Sequence, residues 1–223
     1  MHPMALVQKA IEAKLDMIAI CDHNSSANVP YVINAARVSK LKILPGMEIT
    51  TSEEVHLLAI FDSLSNLALL QEIIDQHLPG ENDEERFGVQ AIVNEDGEVE
   101  GINNQLLIGA TDLSLETLIG HIHQFGGLAI AAHIDRESFS VLSQLGFIDD
   151  HAGFDALEIS RLTGLDRARI AYQELCNYSF LVSSDSHFIK DLGSAFTRIC
   201  LEEPSFAELK MALKKQNGRC IIE

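Results

Sequence analysis

Apolar and polar positions along this chain switch repeatedly between a helical period and short continuous apolar runs, and that switching predicts its elements. Residues 3–15 carry Leu6, Val7, Ala10, Ile11 and Leu15 at helical spacing, with Pro3 suited to a first turn. A buried strand is expected at 17–21 and a second helix at 28–39. Between Leu41 and Asp62 two β-rich runs flank a polar tip, Thr50-Thr51-Ser52-Glu53-Glu54, which reads as a hairpin. Pairing Thr50 with Glu54 across a three-residue turn would set Glu48 directly opposite His56, close enough to share one cation. A helix at 64–77 is closed by Pro79-Gly80. Residues 80–113 then read as an insertion, a lid or a wall over the core. Within it, 88–93 and 98–102 form a hairpin about Asn94-Glu95-Asp96-Gly97.

From Ser114 the alternation is regular. Helices at 114–125, 138–145, 165–177 and 205–215 are interleaved with strands at 128–134, 154–160, 179–184, 196–202 and 220–223. Strand–helix alternation with continuously apolar strands predicts a parallel α/β sheet or barrel, and the whole of 1–223 as a single domain. The alternation also implies a strand ahead of the first helix, where the chain instead begins.

Composition narrows the function classes. A net charge of −17 argues against sequence-independent duplex DNA binding, which needs a basic stripe, yet leaves room for a phosphorylated substrate beside bound cations. Cys21, Cys176, Cys200 and Cys220 lack C-x-x-C spacing and sit in apolar runs, so four buried free thiols of a reducing compartment are expected. No apolar run approaches the roughly 18 residues needed to span a bilayer. The expectation is a cytoplasmic protein with no membrane partner.

Reactive side chains of α/β barrels gather at the C-terminal ends of strands. That rule selects Asp22-His23 after 17–21, Glu48 in the hairpin strand, His133 followed by Asp135 and Arg136, and Asp185-Ser186-His187. With His56, these imidazoles and carboxylates suit Zn, Mn or Fe, and their number implies more than one ion. If the backbone stays extended, Asp185 and His187 point to one side. Arg136 is placed either to receive a phosphate or to pair with Asp135 or Glu137. His121 and His123 fall on a helix, where residues two apart diverge, so chelation there is not expected. Ser183, Ser184 and Ser186 lack a G-x-S-x-G elbow and read as hydrogen-bonding neighbours of the ligands. Glu158 and Arg161 either line the pocket or form a structural pair, and His77 and His151 read as surface residues.

The segments ICDHN (20–24), PGMEITTSEEVHLLAIF (45–61), AAHIDR (131–136) and SSDSHF (183–188) together resemble the polymerase-and-histidinol-phosphatase (PHP) family of metal-dependent phosphoesterases. The resemblance implies a distorted seven-stranded (β/α) barrel with two or three divalent ions. It implies His23, Glu48, His56, His133, Asp185 and His187 as metal ligands, Glu48 bridging, with Asp22 supporting its neighbour. Arg136 would contact phosphate, and Arg136 and Asp185 would serve catalysis. The family opens with a strand bearing H-x-H, and this chain starts at the helix after it, so fewer ions and an open barrel edge that favours a homodimer are expected. The function implied is hydrolysis of a phosphate monoester or diester, of a nucleotide or small metabolite, by a metal-bound hydroxide. The alternatives are a truncated, non-catalytic metal-binding module and an amidohydrolase-like enzyme cleaving C–N bonds.

Overall fold

A computed structural model describes residues 1–149 and 151–222. In order these form α1 (Pro3–Glu12), β1 (Met17–Ile20), α2 (Val29–Ala36), β2 (Lys42–Thr50), β3 (His56–Ile60), α3 (Leu64–His77), α4 (Glu84–Phe87), β4 (Ala91–Val93), β5 (Val99–Ile102), α5 (Leu115–Gln124), β6 (Leu128–Ala131), α6 (Val141–Leu145), β7 (Ala156–Ile159), α7 (Gly164–Ala171), β8 (Phe180–Val182), β9 (Ile199–Cys200), α8 (Phe206–Leu213) and β10 (Cys220–Ile221). Helix starts follow local chemistry. Ser63, Ser114 and Ser205 each accept a backbone N–H of the first turn of α3, α5 and α8, and His2 does the same ahead of Pro3 in α1.

Six strands form one sheet in the order β1-β2-β3-β6-β7-β8. The pairs β1–β2, β6–β7 and β7–β8 are parallel, whereas β3 runs antiparallel to both β2 and β6. The sheet is therefore mixed rather than wholly parallel, because the 41–62 hairpin is inserted into its middle. Laid flat, strands about 4.8 Å apart would separate β1 and β8 by roughly 24 Å. Yet the rings of His23, after β1, and His187, after β8, have centroids 5.9 Å apart. The sheet is curled, in keeping with a barrel-type architecture.

Register divides its two faces. The outer face is covered by helices, with Met47, Ile49, Leu57 and Ala59 packed on α3 residues Leu67, Leu70 and Ile74 in the main core. On the inner face, Leu44, Ile60, Leu128, Ile130 and Ala156 pack against Phe206, Leu209 and Leu213 of α8. The same inner face, continued two to four residues along each strand, carries Glu48, His56 and Glu158. Its lower level is apolar and plugged by α8; its upper level is polar.

Several expectations are corrected. The hairpin tip lies one residue later than expected: Thr51 N–H donates to Val55 C=O at 2.9 Å, with Glu54 at φ 59°, so Thr50 pairs with His56 and Glu48 with Leu58. The stretches 196–202 and 220–223 contribute only β9 and β10, an antiparallel pair separate from the main sheet, and Glu223 lies outside the described residues. One reason is that the Thr197 hydroxyl takes both the N–H and the C=O of Val182, at 2.7 and 2.8 Å, where a neighbouring strand would bind. The thiols are free, but Cys176, Cys200 and Cys220 are exposed and Cys21 is half-buried, and Cys200 and Cys220 lie opposite each other on the short β9–β10 pair outside the main sheet. The 80–113 hairpin forms as β4 and β5, with Gly97 supplying the positive φ of 89° in its turn. Among the described residues, no helix is long and apolar enough to cross a membrane.

Candidate metal centre

Glu48 lies near the end of β2, only 5% exposed. A bridge beyond β1 sets His23 beside it: Glu48 N–H donates to Asp22 C=O at 3.1 Å, and Asn24 N–H donates to Glu48 C=O at 2.8 Å. Asn24, at φ 49° and fully buried, also accepts Thr50 N–H and donates to the carbonyls of Leu107 and Gly109. It thereby ties the His23 loop both to β2 and to the 80–113 segment. The D-H-N run marks this residue in the sequence, but its role as an anchor arises from carbonyls far along the chain.

His56 approaches Glu48 along a diagonal of the hairpin, not from directly opposite. Its Nδ1 lies 3.0 Å from Glu48 Oε1, because a diagonal neighbour remains within reach of two long side chains. His133 Nε2 lies 3.5 Å from the same oxygen and 3.3 Å from His56 Nδ1. His23 Nδ1 stands 3.6 Å from the other oxygen, Oε2. His23, Glu48 and His56 each offer a ligand atom within 4.8 Å of the others. Phe139, at φ 56°, stacks on His56 with centroids 4.7 Å apart, and its carbonyl accepts His56 N–H. Nothing in the local sequence of Phe139 marked it as a neighbour of the site.

Electrostatics follow from this crowding. Burial alone would push the Glu48 carboxyl up, but hydrogen bonds from His133 and His56 and the nearby imidazoles outweigh it and hold the group well below the usual carboxylate range. Burial lowers the pKa of His23, opposed by Glu48 and assisted by His56 and His187. The buried His23 Nδ1 and His133 Nδ1 have no hydrogen-bond partner. Three imidazoles around one carboxylate, with the orphaned His23 Nδ1 turned toward it, are a donor set that fits a divalent cation.

Asp185 and His187 stand apart from this group. Asp185 adopts φ 42°, so the strand does not continue through it and the two side chains do not align as in extended backbone. His187 Nδ1 lies 3.8 Å from Asp185 Oδ1, and its ring tilts toward His23. Arg136 pairs with Asp185, Nη2 to Oδ2 at 2.5 Å, rather than with Asp135 or Glu137. Asp135 instead accepts the N–H and hydroxyl of Ser160. Arg161 pairs with Asp191 and Ser194 and not with Glu158. Asp22 is exposed and accepts Asn28 Nδ2 at 3.2 Å. His123 pairs with Asp155 and His77 with Asp112, both away from the cluster. Beside the site, a cavity of about 220 Å³ opens between the His23 loop and β4, lined by Asp22, His23, Asn28, Gln90, Ile92 and Asn103. One wall is therefore supplied by the 80–113 segment.

Comparison with known proteins agrees with this architecture. The PHP domain model matches residues 1–179, and the PHP-associated model matches residues 165–217. The uncharacterized protein YqxK of Bacillus subtilis (strain 168) is 33% identical over 106 residues, covering 45% of this chain and 27% of YqxK. The lesion-specific endonuclease PfuEndoQ from Pyrococcus furiosus superimposes with a TM-score of 0.73 at 20% identity, over 99% of this chain and 53% of that one. An endonuclease Q complex with a 27-mer duplex bearing an abasic lesion gives 0.70 at 19%, over 97% and 52%. A protein from Bifidobacterium adolescentis described as a metal-dependent phosphoesterase gives 0.54 at 20%, over 84% and 82%. At these identities the structural likeness is one of fold. The chain spans about half the length of the endonucleases and about a quarter of YqxK.

Proposed function

This chain belongs to the PHP domain family, and from that premise we propose that it is a metal-dependent hydrolase of phosphate esters. The observation that carries the reading is the convergence of His23, His56 and His133 on the buried carboxylate of Glu48 at the polar end of a curled sheet. In this reading those four residues would hold divalent metal, with Asp185 and His187 as further candidate ligands beside them. When bound, the metal supplies Lewis acidity toward phosphate and activates water at neutral pH. The chain's own groups do the rest. Arg136, at the rim, receives a phosphoryl oxygen with its planar guanidinium as charge builds there. Asp22 steadies Asn28 beside the cavity, and the 80–113 wall orients the part of the substrate remote from phosphorus.

Phosphate monoesters, diesters and nucleotides are candidate substrates, and so is DNA. The acidic composition argues against sequence-independent duplex binding, but that exclusion finds no support: a structure of similar fold holds a duplex with an abasic lesion. Net charge is a weak guide where cations reverse the local field.

The test is hydrolysis of a panel of nucleotides, phosphodiesters and an abasic-site duplex with added Mn or Zn, using Asp185→Ala as control. Metal-dependent turnover lost in that variant supports the reading; cleavage of amides but no phosphate ester sinks it. A second reading has its own observation. Asp185 and His187 lie outside the compact ligand group, as they would in a one-ion module that binds metal for stability. One equivalent of metal with no turnover on any ester would select it.

A further inference from the structure

Glu158 is a buried carboxylate with no assigned role, and it occupies a singular place. It lies on β7, the strand between β6 and β8, facing the interior of the curled sheet. It is 5% exposed. Leaving a carboxylate there without partners would be strongly unfavourable, and both of its oxygens are used. Oε2 accepts the backbone N–H of His133 at 3.1 Å, just past the end of β6. Oε1 accepts the hydroxyl of Ser183, just past the end of β8. The main chain of Glu158 adds to the first link, since Ile134 N–H donates to its carbonyl at 2.8 Å.

The two segments it joins carry the residues that matter. His133 belongs to the buried cluster, and Asp185 follows Ser183 by two residues. Both have positive φ, 28° and 42°, a region that non-glycine residues adopt only when their surroundings impose it. A single carboxylate thus braces two strained strand ends, one bearing a ligand of the buried group and the other the aspartate of the rim. Glu158 itself is not among His23, Glu48 and His56, whose ligand atoms lie within 4.8 Å of one another.

We propose that Glu158 is a positioning residue that sets the distance between the buried ligand cluster and Asp185 by clamping the His133 backbone N–H and the Ser183 hydroxyl through its two carboxylate oxygens. The proposal rests on the metal reading above. It differs from a purely structural role in requiring metal affinity to change even where the fold does not.

The experiment is titration of the full chain with Mn(II) after chelator treatment, by calorimetry, alongside elemental analysis and circular dichroism. The variants are Ser183→Ala, Ser183→Thr, Glu158→Gln and Glu158→Ala. Ser183→Ala removes one link while Glu158 Oε2 keeps the His133 N–H, so it should stay folded, at somewhat lower stability, while binding Mn(II) about tenfold more weakly in at least one equivalent, the low end for partners that orient ligands. Ser183→Thr keeps the hydroxyl and should restore parental affinity. In Glu158→Gln the amide oxygen can keep the His133 N–H and the amide N–H can donate to the Ser183 hydroxyl, a neutral and weaker clamp, so a smaller loss is expected, and Glu158→Ala should lose most. Parental affinity for every equivalent in folded Ser183→Ala and Glu158→Gln would overturn the proposal while leaving the metal reading intact. No Mn(II) or Zn(II) binding by the parent chain would overturn both.

Discussion

The buried cluster and the open rim of this site are built on different terms. At the cluster, the Glu48 and His133 side chains are 7% and 3% exposed, and three imidazoles are held by strand backbone, an asparagine anchor and a stacked phenylalanine. At the rim, Arg136 and His187 are 41% and 59% exposed, and they meet Asp185 on a loop rather than a strand. Ladder hydrogen bonds and packing fix the cluster's side chains, so a cation would meet donors already in place. The rim is held by exposed ion pairs, which are individually weak. On this reading the cluster determines whether metal binds at all, and the rim determines what is done with it.

The largest expected effect comes from breaking the cluster. Glu48→Ala leaves three imidazoles crowded without their carboxylate and should abolish tight metal binding. It should also cost about 3 kcal/mol of stability, the scale for removing one partner of a buried charged network; urea unfolding with and without chelator measures both. Next is Asp185→Ala, which should fold normally and retain metal in the cluster while lowering hydrolysis by about 100-fold or more. Equal metal loss in the two variants would erase the distinction between the regions. Arg136→Lys keeps the charge but not the planar fork, and should raise KM by about tenfold with little change in stability.

Acidification should act mainly through the cluster. The His23 pKa is lowered from 6.5 in the fold, so below about pH 6.5 the unfolded chain takes up a proton that the folded chain resists. Stability of chelator-treated protein should therefore fall with pH in that window, by at most about 1.4 kcal/mol per unit for one proton. Glu48, held low, adds loss of the same sign as pH drops below its unfolded value of 4.5. The Glu158 carboxyl, raised chiefly by burial, contributes with opposite sign as pH rises through that region. Thermal unfolding across pH 4–8 checks the slope, and Glu48→Gln should flatten its most acidic part. The smallest effect is expected for His187→Ala, whose exposed ring should contribute less than about 0.5 kcal/mol to stability, as a melting curve would show.

Much of this was legible along the chain, for reasons that are local. Ser63 caps α3 where the apolar period begins, so Leu64–His77 was readable to the residue. The strand bearing Glu48 and the one leading to His133 were marked by apolar runs ending in polar residues, and Asn94-Glu95-Asp96-Gly97 announced its turn. The register of the 41–62 hairpin was not legible, because Thr51 Oγ1 accepts the N–H of Glu53 and Val55 and moves the tip by one residue. Nor was the end of β8, which stops where the Thr197 hydroxyl, fifteen residues on, occupies its edge.

By itself the sequence determined which residues could do chemistry and which elements would carry them, since residue type, capping and hydrophobic period act over a few positions. Only the tertiary structure decided which candidates meet. His23, His56 and His133 converge on Glu48 because the sheet curls, and Arg136 turns from its sequence neighbours Asp135 and Glu137 to Asp185 across that curl. Sheet curvature is the sum of strand twist, helix packing and the plug of α8. No single window of the chain contains it.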